Sequence, residues 1–404
     1  MKQRMNHFNK TIHIIGTGMD GDRTLTLEAR RAIEQAELLI GAQRMLKPFE
    51  ALKKPMLCCY DGRKTAALIA DSEYSEIAVL VSGDGGFYSA AGTLLPLLRE
   101  YRTELISGIS TPVYLCAKAG LPWSDMRFVS LHGTDAPFVR TICANRYTFL
   151  LLGGRVTPAD VCRRLCEYGR GEVRVVIGEN LSSPKEAVHS GTAAEYREYN
   201  ADRLCAMIVE NEQYERHLPS CIPDGAFIRG GVPMTKSEVR GVCVARLTVG
   251  ESDVCWDIGC GTGSVSVEMA LRCPKGRVLA VDKNAEAIRL TEQNLRKFGC
   301  DNIEPVPGLA EELAERLPAP DCVFVGGSCG ALGDVLSVAL KKNPDARILV
   351  TAVSLETLSQ SADLFAARGL ESEITEIAVT RTRKAGSHTL LSAENPIFII
   401  HRKC

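Results

Sequence analysis

No C-x-x-C pair occurs in this 404-residue sequence, although it holds sixteen cysteines. The thiols are scattered, and Cys162 and Cys166, on an expected helix, have no histidine cluster beside them. No metal site is expected from such spacing. The cysteines read instead as small apolar core residues kept reduced. Aromatic residues are scarce at 6%, with two tryptophans, and the formal net charge is −1. That balance excludes a polyanion binder acting through bulk charge, and it lacks the basic, aromatic-interleaved stripe of RNA recognition. No apolar run approaches the ~20 residues that span a bilayer. The opening segment MKQRMNHFNK has no apolar core of the signal-peptide kind. A cytoplasmic protein with neither membrane nor nucleic-acid partner is expected.

What is present is a globular composition, 45% apolar and 24% charged, in a chain long enough for two or three domains. The first half alternates apolar, β-branched runs with amphipathic segments: TIHIIGTG, then TLEARRAIEQAELLIG, then IAVLVSGDGG and TELISGIST. This βαβ rhythm predicts a parallel sheet. It restarts at RYTFLLLGG, with Thr157 and Pro158 placed to cap and open a helix. Residues 1–211 therefore read as one domain of two α/β lobes, about 1–115 and 116–211. The proline-rich stretch 212–234 reads as a linker and entry segment. Residues 235–404 read as a second domain, with Thr235 and Glu238 spaced as a capping box. Its strand-rich end predicts an antiparallel hairpin closing an otherwise parallel sheet. The fold class expected throughout is α/β.

Two glycine clusters carry the chemistry. In DIGCGTG, residues 257–263, glycines 259, 261 and 263 sit where a strand turns into a helix. Without Cβ atoms they let backbone approach a ligand. Asp257 before them can bond an ammonium or orient the loop. Asp282, at the end of VLAVD, is placed to accept ribose hydroxyls. The dinucleotide fingerprint is G-x-G-x-x-G, whereas the spacing here is G-x-G-x-G behind an acid that would repel a pyrophosphate. The pattern resembles class I S-adenosylmethionine (SAM)-dependent methyltransferases. Upstream, VLVSGDGGFYSAAG places Gly83, Asp84 and Gly85 directly after an apolar strand, and IIGTGMDGD places Gly16, Gly18 and Asp20 after another.

Further motifs narrow the resemblance. IPDGAFIRGGVPMTKSEVR, AVDKNAEAI, VGGSCGAL and TAVSLET, in that order with DIGCGTG, resemble the CbiT-type methyltransferases of cobalamin biosynthesis. The resemblance implies a Rossmann-like domain in which Thr235, Gly259, Cys260, Gly261, Thr262, Gly263, Asp282 and Ala310 contact SAM. Leu309 stands where that family has an acid. The upstream clusters, with SGIST, SLHGT and LSSPKEAVHSGTAAE, resemble the tetrapyrrole methylase family, and within it the CbiE branch. That implies two lobes with SAM between them. Gly83, Asp84 and Gly85 would line the pocket, Ser110 and Thr111 would bond the amino-acid end, and Leu152 would pack near the adenine. Gly16, Gly18 and Asp20 would face the tetrapyrrole. His132 reads as a satisfied structural histidine, and Thr134 follows it where the family often has arginine.

A CbiE-like domain joined to a CbiT-like domain resembles the CobL-type bifunctional family. The activity this implies is methylation of a precorrin, or its cobalt form, at C5 and C15, with decarboxylation of the ring C acetate. One SAM would serve each domain, and a homo-oligomer is implied. A SAM-dependent RNA methyltransferase is the alternative. A substrate rich in carboxylates calls for local basic groups, for which the candidates are Arg229, Lys236, Arg240, Arg381, Arg383 and Lys384. Methyl transfer from a sulfonium needs alignment above all, and no catalytic residue is singled out.

Overall fold

The computed structural model describes residues 10–19, 23–134, 136–201, 204–215, 221–326 and 332–403. The chain divides into two compact units. The first comprises residues 1–135, 146–163 and 172–210, the second residues 136–145, 164–171 and 211–404. Among the described residues no helix is long and apolar enough to cross a membrane.

The first unit holds two five-stranded sheets. One is built from β1 (Thr11–Gly16), β2 (Leu38–Gly41), β3 (Met56–Cys58), β4 (Glu76–Val81) and β5 (Arg102–Ile106). Its order is β3-β2-β4-β1-β5 and its pairings are all parallel. Both faces are covered. Ile77, Val79 and Val81 of β4 join one core cluster with Ile12, Ile14 and Leu94, while Ala78 and Leu80 join another with Ile15, Ile33 and Phe49. Burial on both faces explains the unbroken apolar runs in the sequence. The chain leaves β1 toward β2 on one side, and leaves β4 toward β5 on the other. The carboxyl ends of β1 and β4 therefore flank a topological switch point, where α/β sheets open a crevice.

The second sheet contains β6 (Met126–Ser130), β7 (Tyr147–Leu151), β8 (Arg174–Glu179), β9 (Ala187–Thr192) and β10 (Cys205–Glu210), in the order β6-β7-β10-β8-β9. Only β6 and β7 pair in parallel; β10 runs antiparallel to both neighbours, and β9 antiparallel to β8. The helix Pro158–Glu167 starts where expected: the Thr157 hydroxyl accepts from the Asp160 N–H, and the Asp160 carboxylate accepts from the Thr157 N–H.

In the second unit a seven-stranded sheet has the order β13-β12-β11-β14-β15-β19-β16. Its strands are β11 (Val254–Ile258), β12 (Arg277–Asp282), β13 (Ile303–Pro307), β14 (Cys322–Val325), β15 (Arg347–Ala352), β16 (Ser372–Ile377) and β19 (Ile397–Arg402). β11 to β15 are parallel, and β19 joins antiparallel between β15 and β16. The expected closing hairpin differs in detail. β17 (Thr380–Ala385) and β18 (His388–Ala393) pair only with each other, as a separate ribbon. The capping-box expectation is also corrected. The helix runs Ser237–Arg246, with Lys236 as N-cap and no side-chain cap. The Thr235 carbonyl instead accepts from the Arg240 guanidinium at 2.6 Å. That bond holds the chain extended for one more residue, and Glu238 pairs with Arg381.

Candidate functional site

In the first unit, three strand ends converge on bare backbone. Gly18 and Gly83 exchange N–H···O bonds of 3.0 and 2.8 Å. A Cβ on Gly16 would lie 2.7 Å from the Gly83 carbonyl oxygen, and one on Gly108 would lie 2.2 Å from it. The Asp84 carboxylate pins the same loops, accepting from Gly86 N at 2.8 Å and Gly108 N at 3.0 Å. Beside this knot lies a cavity of about 310 Å³ lined by Gly83, Asp84, Ser110, Thr111 and Leu152, among others. Those five sequence-predicted residues are brought together. Gly85 is not, because its Cα faces Leu105 in the packing beneath. Gly16 and Gly18 belong to the backbone knot and do not line the cavity, whereas Met19 does. Asp20 lies outside the described residues. Ser110 is the N-cap of the helix Thr111–Ala119, yet its hydroxyl makes no cap hydrogen bond. That helix start and unengaged hydroxyl suit a carboxylate.

Sequence reasoning missed part of this wall: Arg44, Phe87, Tyr88, Asn180 and Leu181. Phe87, Tyr88 and Leu181 lie within the quoted motifs without having been singled out, Arg44 and Asn180 lie outside them, and the fold gathers all five. His132 is corrected. It is exposed and lines the cavity, and among the described residues it has none of the hydrogen-bond partners expected of a structural histidine.

In the second unit the loop 259–263 follows β11 and turns into the helix Ser264–Arg272. Gly259, Gly261 and Gly263 all have positive φ, at 76°, 56° and 73°. A Cβ on Gly259 would stand 2.5 Å from the Gly326 carbonyl oxygen, and one on Gly261 2.6 Å from that of Pro233. Asp282 ends β12 and accepts from Gly261 N at 3.0 Å and Asn284 N at 2.9 Å. A cavity of about 130 Å³ opens here, lined by Gly259, Asp282, Gly308, Ala310 and Gly326. Four of these five residues lie at or just past the carboxyl ends of β11, β12, β13 and β14, where ligands of open α/β sheets bind. Lys283, Leu309 and Glu311 complete the wall and were not singled out as contacts.

The neighbouring loop residues support this wall from behind. Cys260 is buried with its thiol 3.4 Å from the Thr291 hydroxyl. Among the described residues the buried Thr262 hydroxyl has no partner. Gly263 is the N-cap, and a Cβ there would strike Thr291. Thr235 is engaged through its carbonyl and does not line the cavity. The VGGSCGAL motif lies mostly outside the described residues. The residues present fit SAM: the cradles exclude side chains, the carboxylate of Asp282 has a ribose acceptor's placement, and Oδ1 of Asp257 is buried and unpartnered.

Asp257 is fully buried within β11, its Oδ2 accepting from the Ser266 hydroxyl. Burial pushes its carboxyl up to about 7; the Ser266 hydroxyl opposes this and Asp282 adds to it. Because the folded value lies above the unfolded value of ~3.9, the folded state binds the proton more tightly. Its contribution to stability is whole below that unfolded value and is lost as pH rises through about 7. At ~1.4 kcal/mol per unit, the loss is of the order of 4 kcal/mol. Asp257→Asn is therefore expected to gain on the parent as pH climbs. Urea unfolding of SAM-free protein from about pH 5 to about pH 8 checks this: the gap should widen, and parallel curves would mean that Asp257 does not titrate there.

The basic candidates divide. Arg240 is fully buried, bound to Glu268 at 2.7 Å, Asp224 at 3.3 Å and the Ile222 and Thr235 carbonyls. It is a core clasp and not a substrate group, because each of its nitrogens faces a protein acceptor. Arg381 is held by Glu238, Glu394 and Asp224. That pairing draws Glu238 down to about 2. Lys384 contacts the Thr389 hydroxyl at 2.9 Å. Arg229 and Arg383 are exposed, and Lys236 is half-buried.

Residues 225–402 match the family model described as a precorrin methyltransferase domain, and residues 11–196 match that of the tetrapyrrole (corrin/porphyrin) methylases. The probable cobalt-precorrin-6B C(15)-methyltransferase (decarboxylating) of Pyrobaculum calidifontis is 42% identical over 182 residues, covering 44% of this chain and 93% of that protein. The precorrin-6Y C(5,15)-methyltransferase [decarboxylating] of Sinorhizobium sp is 26% identical over 356 residues, covering 85% of this chain and 84% of that protein. The crystal structure of the precorrin 8W decarboxylase of Methanobacterium thermoautotrophicum is 38% identical, covering 45% of this chain and 100% of that one, with a TM-score of 0.44. With 42% identity across nearly the whole of a curated relative, and a family model matched over the strands and glycine loop that frame the second unit's cavity, this chain belongs to the precorrin methyltransferase family.

Proposed function

We propose that this chain is a bifunctional, SAM-dependent precorrin-6Y C5,15-methyltransferase (decarboxylating) of cobalamin biosynthesis, of the CobL type. The N-terminal domain, residues 1–211, methylates C5. The C-terminal domain, residues 235–404, methylates C15 and releases carbon dioxide from the ring C acetate. Residues 212–234 join them. The substrate is precorrin-6B/6Y or its cobalt form. The observation that carries the reading is the presence of two glycine cradles in one chain, each beside a cavity of its own. The relative from Sinorhizobium sp, similar along both halves, supports it.

Each donor supplies an electrophilic methyl group. In the N-terminal domain Gly83 and Asp84 form the floor beneath it, with Gly85 packed behind them, Ser110 and Thr111 hold its amino-acid end and Leu152 packs by the adenine. In the C-terminal domain Gly259 to Gly263 and Asp282 hold it, with Ala310 in the wall and Thr235 and Asp257 behind the loop. The protein's task is to align methyl and carbon. Decarboxylation draws on the conjugated ring as electron sink. Arg229, Lys236, Arg383 and Lys384 are the basic groups left to meet substrate carboxylates. The protein works in the cytoplasm as a homo-oligomer, for which exposed Leu390 and Leu391 on the ribbon offer apolar surface.

Mass spectrometry of metal-free precorrin-6B incubated with the intact chain and SAM tests this. Two methyl groups gained and one carbon dioxide lost are expected. A ring returned unmethylated, or methylation of RNA in its place, would overturn the reading.

A further inference from the structure

The first unit carries a second cavity beside the one lined by the glycine loop. It measures about 400 Å³ and is lined by Val79, Leu80, Cys59 and Tyr60, among others. The two cavities share four lining residues: Arg44, Ser82, Tyr88 and His132. Side chains that line both stand at the junction. A group held in one cavity would reach a group held in the other through an opening framed by these side chains. If the C5 reading above is right, on which this inference rests, the donor sits on the glycine side and the edge of the macrocycle on the other.

Chemistry at that opening needs a proton acceptor. The ring carbon is a methine. When it bonds to the incoming methyl, the methyl's bond to sulfur breaks and the thioether leaves with that electron pair. The carbon then bears both hydrogen and methyl, and conjugation returns only when the hydrogen departs as a proton. The Arg44 guanidinium offers only donors and suits a carboxylate of the ring. Ser82 and Tyr88 carry hydroxyls, which serve to hydrogen-bond the ring. Imidazole is the one of the four suited to accept a proton. His132 is also held in place. A Cβ on Gly153 would fall 2.1 Å from its Nδ1, so the ring lies directly against the Gly153 Cα, at a φ of +150° that L side chains rarely adopt. The Leu131 N–H donates to the Leu151 carbonyl at 2.9 Å, tying the histidine's segment to the strand that leads to Gly153.

We propose that His132 is the base that removes the methine proton during methylation in the N-terminal domain, with Gly153 as its seat. The proton passes from carbon to imidazole and then to water, so no other reactant is required.

The test uses the full chain with metal-free precorrin-6B and SAM. In His132→Gln, methylation at C5 should slow by ~10²–10⁴-fold, while C15 methylation and carbon dioxide loss continue at the parent's rate. Calorimetry should show SAM affinity unchanged, which separates a lost base from a lost donor site. In His132→Ala, added imidazole should restore part of the C5 rate, and salt of equal ionic strength should not. A variant as fast as the parent, weakened SAM binding, or absence of rescue would each overturn the assignment while leaving the C5 activity standing. A parent chain that never methylates C5 would remove the underlying reading, and this proposal with it.

Discussion

Gly259→Ala is expected to silence the C-terminal site while sparing the N-terminal one. The added methyl would lie 2.5 Å from the Gly326 carbonyl oxygen, on a backbone with φ of +76°. Both contacts are with main chain, so no flexible side chain can yield. Non-glycine residues held in sparsely populated backbone regions cost ~1–3 kcal/mol. The carbonyl clash must move either the loop after β11 or the end of β14, and both line the cavity. The expected product from precorrin-6B therefore gains one methyl and keeps its carboxylate. SAM affinity at this site should fall by about 100-fold or more, equivalent to ~2.7 kcal/mol. Full double methylation by the variant would show that the cradle does not need bare backbone here.

Arg240→Met is expected to give the largest loss of stability. Arg240 and Glu268 are both fully buried and joined at 2.7 Å. The guanidinium also stacks over the Phe227 ring, 4.8 Å from its centroid. Removing the arginine strands the Glu268 carboxylate, whose remaining partners are the Ile222 N–H at 3.1 Å and Arg272 at 3.6 Å. Breaking a buried pair from one side costs ~3–5 kcal/mol, whereas replacing both partners is far milder. In a unit of this size that corresponds to a melting temperature lower by about 10 °C. The double variant Arg240→Met/Glu268→Gln should recover much of the loss. Thermal unfolding of both checks the pair. Equal, small shifts would mean that the clasp is not a buried charge pair in solution.

These two positions also show what could be read from the sequence. The glycine loops are legible because glycines clustered after an apolar run permit positive φ and close backbone approach, and both loops follow strands as expected. The parallel order of β1 to β5 and of β11 to β15 follows from the βαβ rhythm. Strand direction within β8 to β10 does not, since a short apolar run reads the same either way. Arg240 differs from the expected substrate group, since an arginine in the sequence looks the same whether it faces solvent or core. Its burial is decided by Glu268 on the next helix, a partner no local pattern announces. The same bond network shifts the helix start past Thr235. The place of His132 is hidden for a related reason: a cavity wall assembled from eight separate segments is not visible in any one of them.

The central claim is that each half of the chain seats one methyl donor. Isothermal titration of SAM into the intact chain, and then into Gly259→Ala, tests it most directly. The account predicts two sites per chain in the parent and one in the variant. A single site in the parent, or two undiminished sites in the variant, would contradict it.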